Sequence, residues 1–302
     1  MSAVLLTGGT GFVGRHALAA LASRGADVHA VHHGPVPADL QPLATWHEAD
    51  LLDVGQSRAL VAALRPERLL HLAWYAAPGF WSAPENYRWV EASLALLRAF
   101  TEAGGKRAVA AGTCAEYDWS HGWCSEGVTP LAPSTTYGVC KDAVRRVMEA
   151  LCADAGASAA WGRLFFLYGP HERPERLVPS VVRPILAGQE AACTPGEQVR
   201  DFLHARDAGE AFAALLESDV TGAVNVASGR GTAVRDLALA AARAAGRPEA
   251  LRVGALPSRP GDPPLLVADV RRLANEVGWS PRIDLEEGMR ESVGWWRSGG
   301  NA

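Results

Sequence analysis

The stretch from Met1 to Val31, MSAVLLTGGTGFVGRHALAALASRGADVHAV, constrains the fold more than any other part of the chain. Val4, Leu5 and Leu6 form a short apolar run suited to a strand buried on both faces. Gly8, Gly11 and Gly14 follow at once in TGGTGFVG. One glycine allows a tight turn, one lets backbone approach a pyrophosphate, and one lets helix and strand pack closely. A helix beginning near Gly11 would aim unpaired N–H groups and a partial positive charge at that phosphate. The expectation is a strand–turn–helix–strand unit that binds a dinucleotide, with Phe12 and Val13 lining the turn.

Further strands are expected over Ala44–Glu48, Arg68–Ala73 and Arg107–Ala111, with helices over about Gly55–Leu64 and Pro84–Ala103. The long helix carries apolar Val90, Leu94, Leu97 and Ala99, and Gly104-Gly105 closes it. Strands alternating with helices of this length predict a parallel sheet covered on both faces, with ligands at the strands' carboxyl ends. An acidic residue about 20 positions after the glycines would bind the ribose 2′-hydroxyl of NAD. Here His32 and His33 hold that place, and Arg15 opens the neighbouring helix. The expected cofactor is therefore NADP(H), with NAD(H) the alternative.

Pro133 and Ser134 mark a helix entry, and that helix carries Tyr137 and Lys141. Residues four apart share one helix face. An ammonium beside a phenol favours the phenolate, so Lys141 is expected to lower the Tyr137 pKa and make it a general acid or base near neutrality. Thr113 sits at the end of the preceding strand, and the lengths between the two elements suit one sheet.

Composition excludes several classes. The net charge of -4 gives no reason to expect nucleic acid or an anionic membrane as partner. No run of about 18 apolar residues offers a membrane span. The first strand begins so early that a signal peptide is not expected. Cys114, Cys124, Cys140, Cys152 and Cys193 are scattered with no CxxC pair, as reduced thiols in a cytoplasmic protein would be, and no metal site is expected.

Nearly end to end, the chain resembles an extended short-chain dehydrogenase/reductase of the NAD(P)-dependent epimerase/dehydratase family, whose members act mostly on nucleotide sugars. The resemblance implies that Asp50 and Leu51 hold the adenine and that Leu72 and Ala73, after His71, pass under the nicotinamide half. Tyr137 and Lys141 match the YxxxK signature, with Thr113 at the Ser/Thr place and Tyr117 four residues on. Gly162–Pro170 resembles the strand and turn that open the substrate lobe, and Leu177-Val178-Pro179 the segment that packs on the base. Arg200, and Arg259 in Arg259-Pro260-Gly261-Asp262, match arginines that contact the substrate diphosphate, chemistry that suits guanidinium groups. Trp74, Cys114, Ala115 and Phe166 complete the implied substrate contacts.

Three departures bear on the activity. Cys114 and Ala115 stand where 4,6-dehydratases carry an Asp-Glu pair, which argues against dehydration. Phe166 and Glu91 each replace a usual asparagine. The run Glu116–Glu126 is rich in aromatics and acids; it is expected to border the sugar, with Glu116 and His121 as spare acid/base candidates. The fold expected is a Rossmann-type doubly wound domain over residues 1–163, with about 199–226 returning to it, and a smaller α/β substrate lobe drawn mainly from 164–302. The leading activity is NADPH-dependent reduction of a nucleotide-linked 4-keto-6-deoxyhexose, with Tyr137 donating the proton. The alternatives are a nucleotide-sugar 4-epimerase holding NAD tightly, and a non-catalytic dinucleotide sensor. Resemblance also implies a homodimer.

Overall fold

The opening stretch folds as its apolar pattern requires. The computed structural model describes residues 3–258 and 260–300. In chain order come β1 (Ala3–Thr7), α1 (Gly14–Ser23), β2 (Asp27–His32), β3 (Thr45–Glu48), α2 (Val54–Leu64), β4 (Arg68–His71), α3 (Glu85–Glu102) and β5 (Arg107–Thr113). They are followed by β6 (Trp123–Cys124), α4 (Thr136–Asp154), β7 (Ser158–Leu164), β8 (Phe166–Tyr168), α5 (Leu177–Leu186), β9 (Ala191–Cys193), β10 (Val199–His204), α6 (Ala205–Glu217) and β11 (Gly222–Val226). The chain closes with β12 (Gly231–Ala233), α7 (Val234–Ala244), β13 (Leu251–Val253), β14 (Leu265–Ala268), α8 (Arg271–Asn275) and α9 (Leu285–Arg297).

Seven strands form one sheet in the order β11-β7-β5-β4-β1-β2-β3. Every pairing in it is parallel. Strand order reverses at β1, which opens a crevice outside the carboxyl ends of β1 and β4, where such folds bind ligands. Side chains alternate across the sheet. Val4 and Leu6 pack with Leu18, Leu21 and Phe212 on the face covered by α1 and α6. Leu5 packs with Leu96, Phe100 and Met148 on the face covered by α2, α3 and α4. Leu5, Leu6, Leu69 and Leu70 are fully buried, each worth about 1.5–3 kcal/mol of apolar transfer. Buried Arg107 ties α6 down, donating to the carbonyls of Leu215 (2.6 Å), Leu216 (2.9 Å) and Val220 (2.9 Å). Its charge suits the negative end of that helix.

A second sheet runs β12-β10-β14-β6, with β8 also on β10. Beside it, β9 pairs β13, and α5, α7 and α9 enclose a separate core of Val181, Val182, Ile185, Leu237, Ala241 and Met289. The fold class is thus a Rossmann-like seven-stranded parallel sheet joined to a smaller α/β unit. Within the segment 199–226, β10 belongs to the second sheet, while β11 pairs with β7 in the first.

Several boundaries differ from expectation: β4 ends at His71, short of Ala73, β5 runs on past Ala111 to Thr113, and two helix starts shift. The first helix begins at Gly14, because residues 8–13 form a turn in which the Gly11 N–H donates to the Gly8 carbonyl (2.9 Å). The Tyr137 helix is capped by Thr135, whose hydroxyl accepts the Gly138 N–H (3.1 Å); Ser134 lies one residue outside it. The run Glu116–Glu126 contains a 3-10 turn at Trp119–His121 and then β6, an edge strand on β14. The five cysteines are free and buried. Among the described residues, no helix is long and apolar enough to cross a membrane.

Candidate active site

The glycine turn has the shape a dinucleotide needs. Gly8 has φ +75°, and a Cβ on Gly14 would stand 1.9 Å from the Gly8 carbonyl oxygen. At Gly11 a Cβ would meet nothing nearer than that same carbonyl at 3.1 Å, so the backbone there is open to a phosphate. These residues fit the cofactor expected of the fold. Phe12 and Val13 are half-buried beside the turn. At β4, Thr7 Oγ1 lies 2.7 Å from His71 Nδ1 and accepts the Ala73 N–H (3.3 Å). His71 Nε2 reaches Ser93 Oγ (2.9 Å), and burial takes the imidazole down to about 3. That neutral histidine braces the strand end where Leu72 and Ala73 emerge, half-buried, into the crevice. Asp50 and Leu51 follow β3 at the same edge; Asp50 Oδ1 accepts the Leu52 N–H (2.9 Å) and Leu51 is buried.

The ribose corner differs from expectation. His32 turns back on its own chain, Nδ1 lying 2.7 Å from the Gly34 carbonyl, and His33 is exposed. Arg15 is no free cation for a 2′-phosphate: it pairs with Asp39 at 2.9 Å. Asp39 was invisible in sequence because it lies in the loop beyond the strand end.

Thr113, Tyr137 and Lys141 come together at the carboxyl end of β5. Gly138 makes this possible: a Cβ there would stand 2.3 Å from the Ala115 carbonyl, so α4 lies directly on the 3-10 turn Cys114–Glu116. Tyr137 is enclosed edge-on by Phe80, Trp81 and Trp74 at ring-centroid distances of 4.9, 5.8 and 6.4 Å. Its N–H donates to the Trp81 carbonyl (3.1 Å). Lys141 is buried; Nζ donates to the Ala111 carbonyl (2.8 Å) and sits 3.9 Å over the Trp74 ring.

The expected pKa coupling is reversed. Burial pushes the Tyr137 phenol above its ordinary value, and the neighbouring Thr113 side chain only partly opposes this. Burial also brings the Lys141 ammonium down to about 7, with Glu116 opposing. The aromatic wall removes water from both groups, and desolvation disfavours both charged forms.

The remaining candidates scatter. Cys114 and Ala115 are buried within the 3-10 turn itself, and burial pushes the Cys114 thiol up. Phe166 stands against Phe202 at 5.8 Å and under the Arg200 guanidinium at 5.5 Å. Arg200 is buried and paired with Asp262 at 2.5 Å. Val178 corrects the expectation for its segment, since it packs into the core of the smaller unit and Leu177 is the more exposed neighbour. Arg259 lies outside the described residues. His121 is exposed. Glu116 is not a spare acid/base, because it is fully buried in an ion pair with Arg163 at 2.7 Å. Sequence reasoning missed Phe80, Trp81, Asn86 and Arg176. Asn86 accepts from Trp74 Nε1 (2.8 Å) and donates to the Phe80 and Ala83 carbonyls (2.7 and 2.9 Å), so it staples the aromatic segment. The aromatic density of Trp74–Trp81 was the available signal.

A doubly wound sheet with a glycine phosphate turn and a Thr/Tyr/Lys set at its strand ends defines a short-chain dehydrogenase/reductase type of nucleotide-dependent enzyme. Residues 4–227 match the sequence model of the NAD dependent epimerase/dehydratase family, and the chain belongs to that family. A UDP-glucose 4-epimerase of Azospirillum brasilense is 29% identical, over 98% of this chain and 92% of its own. The solved UDP-glucose 4-epimerase of Thermotoga maritima, with UDP-glucose, superposes with a TM-score of 0.87 at 25% identity, covering 98% and 99% of the two chains. That of Thermus thermophilus, in complex with NAD, gives 0.83 at 27% identity with the same coverage.

Proposed function

We propose that the protein is a nucleotide-sugar 4-epimerase that holds NAD and passes through a 4-keto sugar. The observation carrying this reading is the near end-to-end match to UDP-glucose 4-epimerases together with the gathering of Thr113, Tyr137 and Lys141 at one strand end. Residues 1–163, with later segments, would hold the cofactor on Gly8, Gly11, Gly14, Asp50 and Leu51; residues 164–302 would mainly hold the substrate. Bound NAD supplies a reversible hydride acceptor that is regenerated in each turnover. Tyr137 takes the proton of the sugar 4-hydroxyl and returns it, and Thr113 hydrogen-bonds the same oxygen. Lys141, whose Nζ lies 6.0 Å from the Tyr137 ring centroid, would hold the nicotinamide ribose beside the phenol. Arg200 would exchange Asp262 for the substrate diphosphate, which a guanidinium can bind bidentately.

A second reading, NADPH-dependent reduction of a nucleotide-linked 4-keto-6-deoxyhexose, is favoured by the absence of a carboxylate at His32 and His33. The two differ in cofactor balance. Purified protein is assayed for co-purifying nucleotide by mass, then given UDP-glucose and, separately, 4-keto sugar nucleotides. Epimerisation with retained NAD and no net change in cofactor absorbance is expected; stoichiometric NADPH oxidation would replace this reading by the second. Tyr137→Phe is expected to lower kcat by about 10³-fold while leaving NAD bound. Full activity in that variant would remove the phenol from the mechanism. We also propose a homodimer built on α3 and α4.

A further inference from the structure

The fully buried carboxylate of Glu116 joins the catalytic strand end to the second sheet. Its Oε1 accepts the Thr113 backbone N–H (2.8 Å) and the Trp161 indole N–H (2.9 Å), and its Oε2 accepts Arg163 Nε (2.7 Å). Arg163 donates from Nη1 to the Tyr117 hydroxyl (3.0 Å), which donates to Asn225 Oδ1 (2.8 Å). The Asn225 amide donates to the carbonyls of Cys124 and Asp269, both at 3.0 Å. An unbroken polar path thus runs from Thr113, past β7 and β11, to β6 and the end of β14. Gly112 leaves room for it, since a Cβ there would stand 2.0 Å from Trp161 Nε1 and 2.7 Å from Glu116 Oε1. Thr113 is held from both sides: its own hydroxyl accepts the Ala115 N–H (3.2 Å), and Glu116 accepts its backbone N–H in return.

We propose that Glu116 is a positioning residue for Thr113, fixing its hydroxyl where the reacting sugar oxygen lies and setting that position from the substrate side through Arg163, Tyr117 and Asn225. The proposal rests on the reading of Thr113 as the group that binds this oxygen. A purely structural role would make the Glu116–Arg163 ion pair the important feature; a positioning role makes it the acceptor facing Thr113.

Two double variants separate these roles. E116Q/R163M and E116M/R163M both lack the ion pair and conserve volume, a replacement that buried pairs often tolerate. Only the first keeps an acceptor for the Thr113 N–H. With whichever turnover the wild type shows, E116M/R163M is expected to lose about 10- to 100-fold in kcat with KM within about twofold, and E116Q/R163M to stay within about threefold of wild type. Thr113→Ala added to E116M/R163M is expected to cost little more, because both changes remove one function. Equal kcat for the two folded double variants overturns the proposal. Unchanged kcat in Thr113→Ala alone instead overturns the reading of Thr113. If the double variants do not fold, E116D keeps the charge beside Arg163 but is one methylene too short for the Thr113 N–H. It is expected to show the same kcat loss, and wild-type kcat in E116D overturns the proposal.

Discussion

Burial decides the protonation of individual residues in this protein, and Glu172 gives that statement a measurable sign. It lies just beyond β8, buried, with Oε2 lacking a hydrogen-bond partner among the described residues. Burial raises its pKa from 4.5 to about 8, with Arg176 opposing. Between those values the folded state binds more protons than the unfolded one, so this residue's contribution falls as pH rises from about 4.5 and is lowest above about 8. Glu172→Gln keeps the shape and removes the ionisation. Urea unfolding should show the variant and wild type equally stable near pH 4.5. Near pH 9 the variant should be the more stable, by about 1.4 kcal/mol per pH unit crossed at most. A difference that does not change with pH would assign Glu172 no such burial cost. The same physics corrects the expectation for Tyr137 and Lys141. Spacing showed that they share a helix face, but the direction of their shifts depends on the Phe80, Trp81 and Trp74 rings that exclude water around them.

Elements differ in how much of them the sequence discloses, and length is the reason. The strands β1, β4 and β5 were legible because apolar runs bounded by turns alternate with helix-length segments. The second sheet was not, because β6, β8, β12 and β14 span only two to four residues, too few to display a period of two. The helix carrying Tyr137 and Lys141 was legible through a local spacing of four. The Glu116 network was hidden because Arg163 lies 47 residues away and Asn225 lies 108 from Tyr117. The aromatic segment 74–83 is a further case, since its shape depends on one side chain at the start of α3. Asn86→Ala would leave the Trp74 indole and the Phe80 carbonyl without their partner, while the Ala83 carbonyl keeps the residue-86 backbone N–H (3.2 Å). The expected cost is about 1–3 kcal/mol, since each polar group stranded away from water loses its hydrogen bond. Limited proteolysis should show faster cleavage within 75–83, and KM should rise more than kcat falls. Unchanged cleavage and unchanged KM would mean that the segment is held by ring packing alone.

At the scale of the whole molecule, α3 and α4 lie side by side on the outer face of the sheet and carry apolar groups that none of the described residues covers. On α4, Val139 and Val147 are 50% and 39% exposed, with Ala143 between them at helical spacing; on α3, Tyr87 is 60% exposed. A stripe at i, i+4 and i+8 presents one continuous ridge. Two such helix pairs related by a two-fold axis would form a four-helix interface, in which each residue meets its symmetry-related counterpart patch. The large sheet's carboxyl edge, with Tyr137 and Thr113, is built within one chain, so the proposed interface would brace α4 and not complete the site. Sedimentation should therefore give twice the chain mass of 31.9 kDa. Introducing like charges into the stripe with Ala143→Glu and Val147→Glu should yield the monomer with its helical signal intact, because neither position lies in the core. Turnover in that monomer should fall by less than about tenfold, since loss of the brace loosens the first turns of α4 without removing a group that acts on substrate. A wild-type protein that sediments at the single-chain mass at micromolar concentration would leave this face as ordinary surface, and a dimer unaffected by both glutamates would place the interface elsewhere.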